Sequence, residues 1–180
     1  PGQTIKLAKK SYSTHHGPMI IIPGSFEWGP GGSAFAIKDV NLGNVDIIDH
    51  WLAMNLAGNI AEFEQAFQDY DGVIFNNTMS ADSEGNVYYV DDSPVPYLTD
   101  IALKEMTTNP LLIGAKQAAG FTILPGFLSA FDFERAVPYA NAPKYSGTDY
   151  VQNSNDSFWL TNLNAPITGI SPLYGKVENE

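Results

Sequence analysis

Residues 59–90, with the sequence NIAEFEQAFQDYDGVIFNNTMSADSEGNVYYV, carry the pattern that decides the fold. Asn59 followed three residues later by Glu62 is typical of a capped helix start. The apolar residues behind this cap repeat at three- and four-residue spacing, as on one face of a helix: Ile60, Phe63, Ala66, Phe67 and Tyr70. The pattern predicts an amphipathic helix that ends near Gly72.

A change of period after this helix predicts an antiparallel hairpin. Residues 73–79 read as a strand, residues 81–86 as a polar turn containing Gly85, and residues 87–90 as the returning strand. The turn also offers oxygens near a glycine, but it lacks the twelve-residue spacing of a calcium-binding loop. A hairpin turn is therefore the favoured interpretation.

The chain before this stretch reads mostly as extended structure. Residues 5–13, 18–22 and 34–38 alternate or are rich in β-branched residues, and they predict short strands. Residues 24–33 form a glycine-rich loop that could cradle a phosphate, but the lysine and the helix start of a P-loop are missing. We therefore expect a connecting loop there.

Two further helices are predicted. The first can be capped by Asn44 and is broken by Gly58. Its apolar residues would form one stripe: Val45, Ile48, Trp51, Leu52 and Leu56. The second follows Asn109 and a first-turn proline, covers residues 111–119 and ends at Gly120.

The end of the chain completes the expected fold class. From residue 136 onward, proline, asparagine, glycine and tyrosine are frequent, which predicts irregular coil laid over the core. Taken together, the elements predict an α+β fold with helices packed on an antiparallel sheet, in a single domain over residues 1–180.

Composition excludes several classes of function. Twenty acidic residues against nine basic ones leave a net charge of −11, whereas nucleic-acid binding needs a clustered cationic face. The absence of cysteine excludes disulfides, thiolate zinc sites and cysteine nucleophiles. No apolar run approaches the ~18 residues of a membrane-spanning helix. We therefore expect neither nucleic acid nor membrane as a partner.

Histidines and carboxylates offer only weak candidates for chemistry. His15 and His16 stand at the start of a strand, where adjacent side chains point to opposite faces, so we expect a structural role. Asp46 and His50 could share a metal, but without a third ligand packing or surface exposure is favoured. Four carboxylates could hold a cation but are expected to be solvated in so acidic a chain: Asp91, Asp92, Asp132 and Glu134.

Residues 150–160, YVQNSNDSFWL, concentrate amide side chains in a loop-like stretch. Amides are fixed dipoles, so a positioned asparagine NH2 can donate to an oxyanion as it develops. Asparagine and aspartate also stabilise turns, and composition alone favours that second interpretation.

Four stretches, in the same order, resemble the penicillin acylase family of N-terminal nucleophile hydrolases. Residues 14–20 resemble its strand T-x-H-G-P-(V/I), and residues 51–55 with Phe63 and Phe67 are similar to its helix pair. Residues 76–89 resemble its hairpin N-x-x-x-A-D-x-x-G-N-I-x-Y, and residues 153–162 its loop N-x-N-D-S-x-W-L. The resemblance covers nearly all of the chain but only an interior stretch of the family's large subunit.

The resemblance implies a fold, a reaction and partners. The chain would form part of an αββα sandwich in an enzyme that cleaves the amide of a penicillin, lipopeptide or acyl-homoserine lactone through an acyl-serine. The nucleophile would be the N-terminal serine of the large subunit. Pro1 has no hydroxyl, so this chain alone is expected to be inactive. Its partners would be the small subunit and the N-terminal part of the large subunit, with no cofactor.

The resemblance also implies roles for three residues. The oxyanion-binding asparagine matches Asn153, with Asn155 as the reserve candidate if the register is shifted by one motif position. Asn155 and Asp156 would otherwise hold the loop through side-chain to backbone bonds. The family's arginine beyond this loop has no match, and no metal ligands can be assigned. The parent enzyme would be periplasmic or secreted. A non-catalytic binding or interaction domain is the alternative.

Overall fold

The computed structural model describes residues 5–22, 24 and 32–174. The chain divides into two compact units, residues 1–39 and residues 40–180. The single domain expected over residues 1–180 stays a prediction.

The first unit contains a small antiparallel sheet in the order β1-β2-β3, made of Ser13–Thr14, Gly17–Ile20 and Phe35–Ala36. Two of the expected strands are confirmed in shortened form, whereas residues 5–12 form no regular strand although they were expected to be extended. Most of the glycine-rich loop, residues 25–31, lies outside the described residues.

The described part of the second unit, residues 40–174, contains four α-helices: α1 Ile47–Leu56, α2 Ile60–Asp69, α3 Asp100–Thr108 and α4 Pro110–Ala119. The predicted cap of α2 is confirmed, because Oδ1 of Asn59 accepts from the backbone N–H of Glu62 at 2.9 Å. Helix α4 ends at Gly120, which adopts the left-handed conformation (φ 72°) expected of a helix stop. Helix α3, capped by Thr99, was not predicted.

The second unit also contains an antiparallel sheet in the order β4-β5-β6, made of Asn77–Ala81, Val87–Asp91 and Lys144–Gly147. The predicted hairpin is confirmed, with Met79 opposite Tyr89, although its first strand begins four residues later than expected. The expectation of irregular coil from residue 136 is wrong at β6, which pairs with the free edge of β5. A four-residue edge strand is too short for alternation to reveal.

The main core lies between α2 and β5. Phe67, Val73, Tyr88 and Val90 are almost fully buried, and the ring centroids of Phe63 and Tyr88 lie 6.1 Å apart. Burying a side chain as large as that of Phe67 contributes about 3 kcal/mol. A second cluster packs beneath α3: Leu98, Ala102, Phe131 and Phe133. The α+β class with antiparallel sheets is therefore confirmed.

The predicted inner face of α1 is wrong. The helix buries His50 and Met54, whereas the expected stripe is exposed, with 73% of Ile48 and 44% of Trp51 accessible. The cap also differs, because α1 begins after Asp46, and Asn44 Oδ1 instead accepts from the backbone N–H of Asp46 at 2.9 Å. Periodicity identifies an apolar face, but tertiary contacts decide which face turns inward.

Candidate functional site

The amide-rich loop is closed at its base by two bonds between its ends. The backbone N–H of Gln152 donates to the carbonyl of Thr161 at 3.0 Å, and the Gln152 side chain donates to the carbonyl of Leu160. A single 3-10 turn, Phe158–Leu160, completes the returning arm. The base holds residues 153–156 as a compact tip.

Asn153 uses both ends of its side chain within this tip. Its Nδ2 donates to the carbonyl of Asp156 at 3.1 Å, and its Oδ1 accepts from the backbone N–H of Asn155 at 2.8 Å. The side chain is half-buried. Asn153 therefore stabilises the loop in the manner of an Asx turn.

Asp156 adds a second clamp across the same tip. Its Oδ1 accepts from the backbone N–H of Ser154 at 3.0 Å, and its Oδ2 accepts from the Ser154 hydroxyl at 3.3 Å. This is a side-chain to backbone bond of the kind that the resemblance implies for Asp156.

Asn155 differs from its neighbours in conformation and exposure. It is the only non-glycine residue with positive φ (70°) among the described residues, and its side chain is exposed. Its Oδ1 accepts from Nδ2 of Asn77 at 3.5 Å, and within the described part of the chain this is the hydrogen bond that its side chain makes, which leaves Nδ2 open to a ligand. A left-handed residue held by its surroundings is a feature that clusters at functional sites.

Strands β4 and β5 provide the side chains beneath Asn155. Asn77 begins β4, and its Oδ1 accepts from the hydroxyl of Tyr89, on β5, at 2.6 Å. Tyr89 is fully buried, and this burial raises the pKa of its phenol above the ordinary value, so the hydroxyl remains a donor. Sequence reasoning missed both residues as site candidates, although both occupy fixed positions of the hairpin motif.

The histidines have structural surroundings. His50 is fully buried, and its Nδ1 accepts from the backbone N–H of Gly72 at 2.9 Å. Burial lowers its pKa to about 4, against the opposing charge of Asp46, so the ring is neutral near pH 7. His15 and His16 form the turn between β1 and β2 with ring centroids 3.7 Å apart. The expected opposite orientation is therefore wrong for them, because the turn interrupts strand alternation.

The carboxylates divide into turn formers, solvated groups and one half-buried group whose Oδ2 is shielded from solvent. Asp82 closes the β4–β5 turn, because its Oδ1 accepts from the backbone N–H groups of Glu84 and Asn86, each at 2.9 Å. Glu134 is exposed as expected. Asp92 is not solvated: burial, with Asp71 and Asp91 nearby, raises its pKa to about 8. It lines a cavity of about 90 Å³.

A comparison with known families decides the assignment. A sequence model of the family described as Penicillin amidase matches residues 2–176. The chain belongs to the penicillin amidase family. This confirms the resemblance found in the sequence, and with it the assignment to the N-terminal nucleophile hydrolases.

Relatives within this family are acylases by name. The chain is 31% identical over 180 residues to "Acyl-homoserine lactone acylase PvdQ" of Pseudomonas fluorescens (strain Pf0-1), covering 96% of the chain and 22% of that protein. It is 33% identical over 180 residues to "Aculeacin-A acylase" of Actinoplanes utahensis, covering 94% of the chain and 22% of that protein. The chain therefore spans between a fifth and a quarter of the length of these penicillin amidase relatives.

None of the helices in the described part of the chain has the length and apolar character needed to cross a bilayer.

Proposed function

We propose that the protein containing this chain is an acylase, which hydrolyses the amide bond of an N-acyl substrate through an acyl-enzyme. This chain contributes the side-chain half of the oxyanion hole. The observation that carries the proposal is the exposed amide NH2 of Asn155, presented on a clamped left-handed loop in a member of the penicillin amidase family. An amide donor held in this way needs no reorganisation when the oxyanion forms.

The hydrogen bonds of the loop favour Asn155 over Asn153 as this donor. The Nδ2 of Asn153 already donates to the carbonyl of Asp156, and its Oδ1 holds the backbone N–H of Asn155. One N–H of Asn153 and its Oδ1 are thus used within the loop, and turning this side chain towards a ligand would break both bonds and release the left-handed residue. The Nδ2 of Asn155 can donate to a ligand with no such cost. Asn153 and Asp156 then hold the loop in shape.

The reaction requires a nucleophile supplied by another part of the protein. By family resemblance, the hydroxyl of an N-terminal serine attacks the amide carbonyl, and its proton passes to its own α-amino group. The carbonyl oxygen becomes an oxyanion, to which Asn155 Nδ2 donates. The leaving amine takes the proton, and water then attacks the acyl-serine and releases the acid. The remaining acylase, its small subunit and the start of its large subunit are the proposed partners.

The substrate class is an N-acyl amide of the kind named in the relatives. An acyl-homoserine lactone and aculeacin A are the two substrates to test first. A periplasmic or secreted location is part of this proposal and rests on the family resemblance.

The test measures amine release by the whole protein. Expressed from its gene and purified, it is incubated with N-acyl-homoserine lactones of increasing acyl length and with aculeacin A, and free amine is measured by fluorescamine. Release of homoserine lactone or of the deacylated aculeacin core supports the proposal. If no amine appears with any of these substrates, the non-catalytic alternative replaces it.

A further inference from the structure

Three side chains form a hydrogen-bonded series that ends at Asn155. The Tyr89 hydroxyl donates to Oδ1 of Asn77 at 2.6 Å, and Nδ2 of Asn77 donates to Oδ1 of Asn155 at 3.5 Å. The first bond is short, and the second is at the outer limit for a hydrogen bond. Catalytic hydrogen bonds are often long without substrate and tighten in the reacting complex.

The orientation of the Asn77 amide follows from the distance to Tyr89. A separation of 2.6 Å is typical of an O–H···O bond and is shorter than usual for N–H···O. The amide oxygen of Asn77 therefore faces the phenol, and its NH2 faces Asn155. Because Tyr89 is fully buried and stays protonated, it keeps this orientation fixed.

The orientation of the Asn155 amide matters for its proposed role. Rotating an asparagine amide by half a turn exchanges its oxygen and nitrogen with little change in shape. With Oδ1 held by Asn77, the NH2 of Asn155 is presented as a donor. With the amide reversed, an oxygen would face the developing oxyanion and repel it. Within the described part of the chain, the bond from Asn77 is the one hydrogen bond made by the side chain of Asn155.

We propose that Asn77 and Tyr89 are positioning residues of the oxyanion site, which together fix the Asn155 amide with its NH2 towards the substrate. This inference rests on the proposed function. Neither residue contacts the reacting atoms; each acts through the next. Their location on adjacent strands of the rigid β4–β5 pair holds the series in place.

The first test uses a matched pair of variants in the whole protein. Tyr88 and Tyr89 are neighbours on β5, both are fully buried, and each hydroxyl is hydrogen-bonded to another side chain, that of Tyr88 to the Tyr139 hydroxyl at 2.8 Å. We expect Tyr89→Phe to lower kcat about 5-fold, as expected for one lost hydrogen bond, with KM changed less than about 2-fold. Tyr88→Phe is expected to lower the unfolding temperature by about as much as Tyr89→Phe does, but without lowering kcat.

The second test reverses the donor at Asn77. Asn77→Asp keeps the acceptor for Tyr89 but places an oxygen opposite Oδ1 of Asn155, so the Asn155 amide is expected to reverse. We expect kcat to fall on the order of 10- to 100-fold, since a misplaced group costs about that much. In an Asn155→Ala background, Asn77→Asp should cause no further loss, because its effect passes through Asn155.

The outcomes separate this inference from the proposed function. All rates are measured with the N-acyl-homoserine lactone that the wild type hydrolyses fastest. If Asn155→Ala keeps near-wild-type kcat, the proposed donor is wrong and the positioning role is overturned with it. If Asn155→Ala is strongly impaired but Tyr89→Phe matches Tyr88→Phe in kcat, the positioning role alone is overturned. Independent losses from Asn77→Asp and Asn155→Ala also overturn it.

Discussion

Asn153 holds Asn155 in its left-handed conformation: its Oδ1 accepts the backbone N–H of Asn155 at 2.8 Å, while the φ angle of Asn155 is 70°. The two asparagines that fit the same family motif therefore have different tasks. The side chain of Asn153 is hydrogen-bonded within the loop, whereas that of Asn155 is exposed at its tip. The short loop keeps a fixed conformation because side-chain to backbone hydrogen bonds take the place of the backbone hydrogen bonds of a helix or strand.

Removing the first asparagine should loosen the tip without removing the donor. In Asn153→Ala, the backbone N–H of Asn155 loses its acceptor, and we expect its hydrogen exchange to become at least about 5-fold faster, as for the loss of one hydrogen bond. Exchange measured by mass spectrometry on a peptide covering the loop checks this. Unchanged exchange would mean that the Asn153–Asn155 bond does not hold the loop.

The buried imidazole of His50 should make the fold sensitive to acid. Its folded pKa of about 4 lies below the ordinary 6.5, so the unfolded chain binds the proton first as the pH falls. The stability that His50 contributes is therefore fully present above about pH 6.5 and decreases by on the order of 3 kcal/mol toward pH 4. Because Asp92 titrates in the same range with the opposite effect, urea unfolding at pH 4 and pH 6.5 compares Asp92→Asn with the double variant Asp92→Asn/His50→Gln. The double variant should show the flatter pH dependence, and an equally steep one would contradict the prediction.

Asp92 should change the stability of the fold with pH in the opposite direction to His50. Its carboxyl keeps its proton up to about pH 8 in the folded state but loses it near 3.8 when unfolded, so the stability that Asp92 contributes decreases as the pH rises between these values. Asp92→Asn removes this titration. We expect the variant and the wild type to unfold at similar temperatures at pH 4 and the variant to be more stable at pH 8. A difference that stays constant with pH would show that the carboxyl is not buried as described.

Gly72 should tolerate no side chain. A Cβ there would lie 2.6 Å from the carbonyl oxygen of Asp46 and 2.7 Å from Cβ of His50, and the shift needed would break the bond to His50. We expect Gly72→Ala to cost about 2 kcal/mol or more, measured by urea unfolding. Gly114, with open space around it inside α4, is the control. Gly114→Ala should be neutral or stabilising by up to about 1 kcal/mol. Equal effects would contradict the close approach.

Local patterns explain why part of the fold could be predicted. The Asn59 cap, the α2 stripe and the β4–β5 hairpin are encoded by neighbouring residues, and the structure confirms them. The inward face of α1 and strand β6 depend on distant partners, such as the bond between His50 and Gly72. Periodicity within a segment carries no information about such contacts.

The same distinction applies to the site. The sequence indicated the loop, and the family resemblance implied its role. The pattern N-x-N-D does not reveal which asparagine side chain is hydrogen-bonded within the loop. That choice depends on the φ angle of Asn155 and on the carbonyl of Asp156. Asn77 and Tyr89 approach the loop from another part of the chain, so loop composition could not reveal them.

The most direct test of the central claim compares kcat for Asn155→Ala and Asn153→Ala in the whole protein, with an N-acyl-homoserine lactone as substrate. Loss of an oxyanion donor lowers turnover on the order of 100- to 1000-fold, so we predict that loss for Asn155→Ala and a smaller one for Asn153→Ala. A near-wild-type kcat for Asn155→Ala, with the large loss at Asn153→Ala instead, would contradict the account.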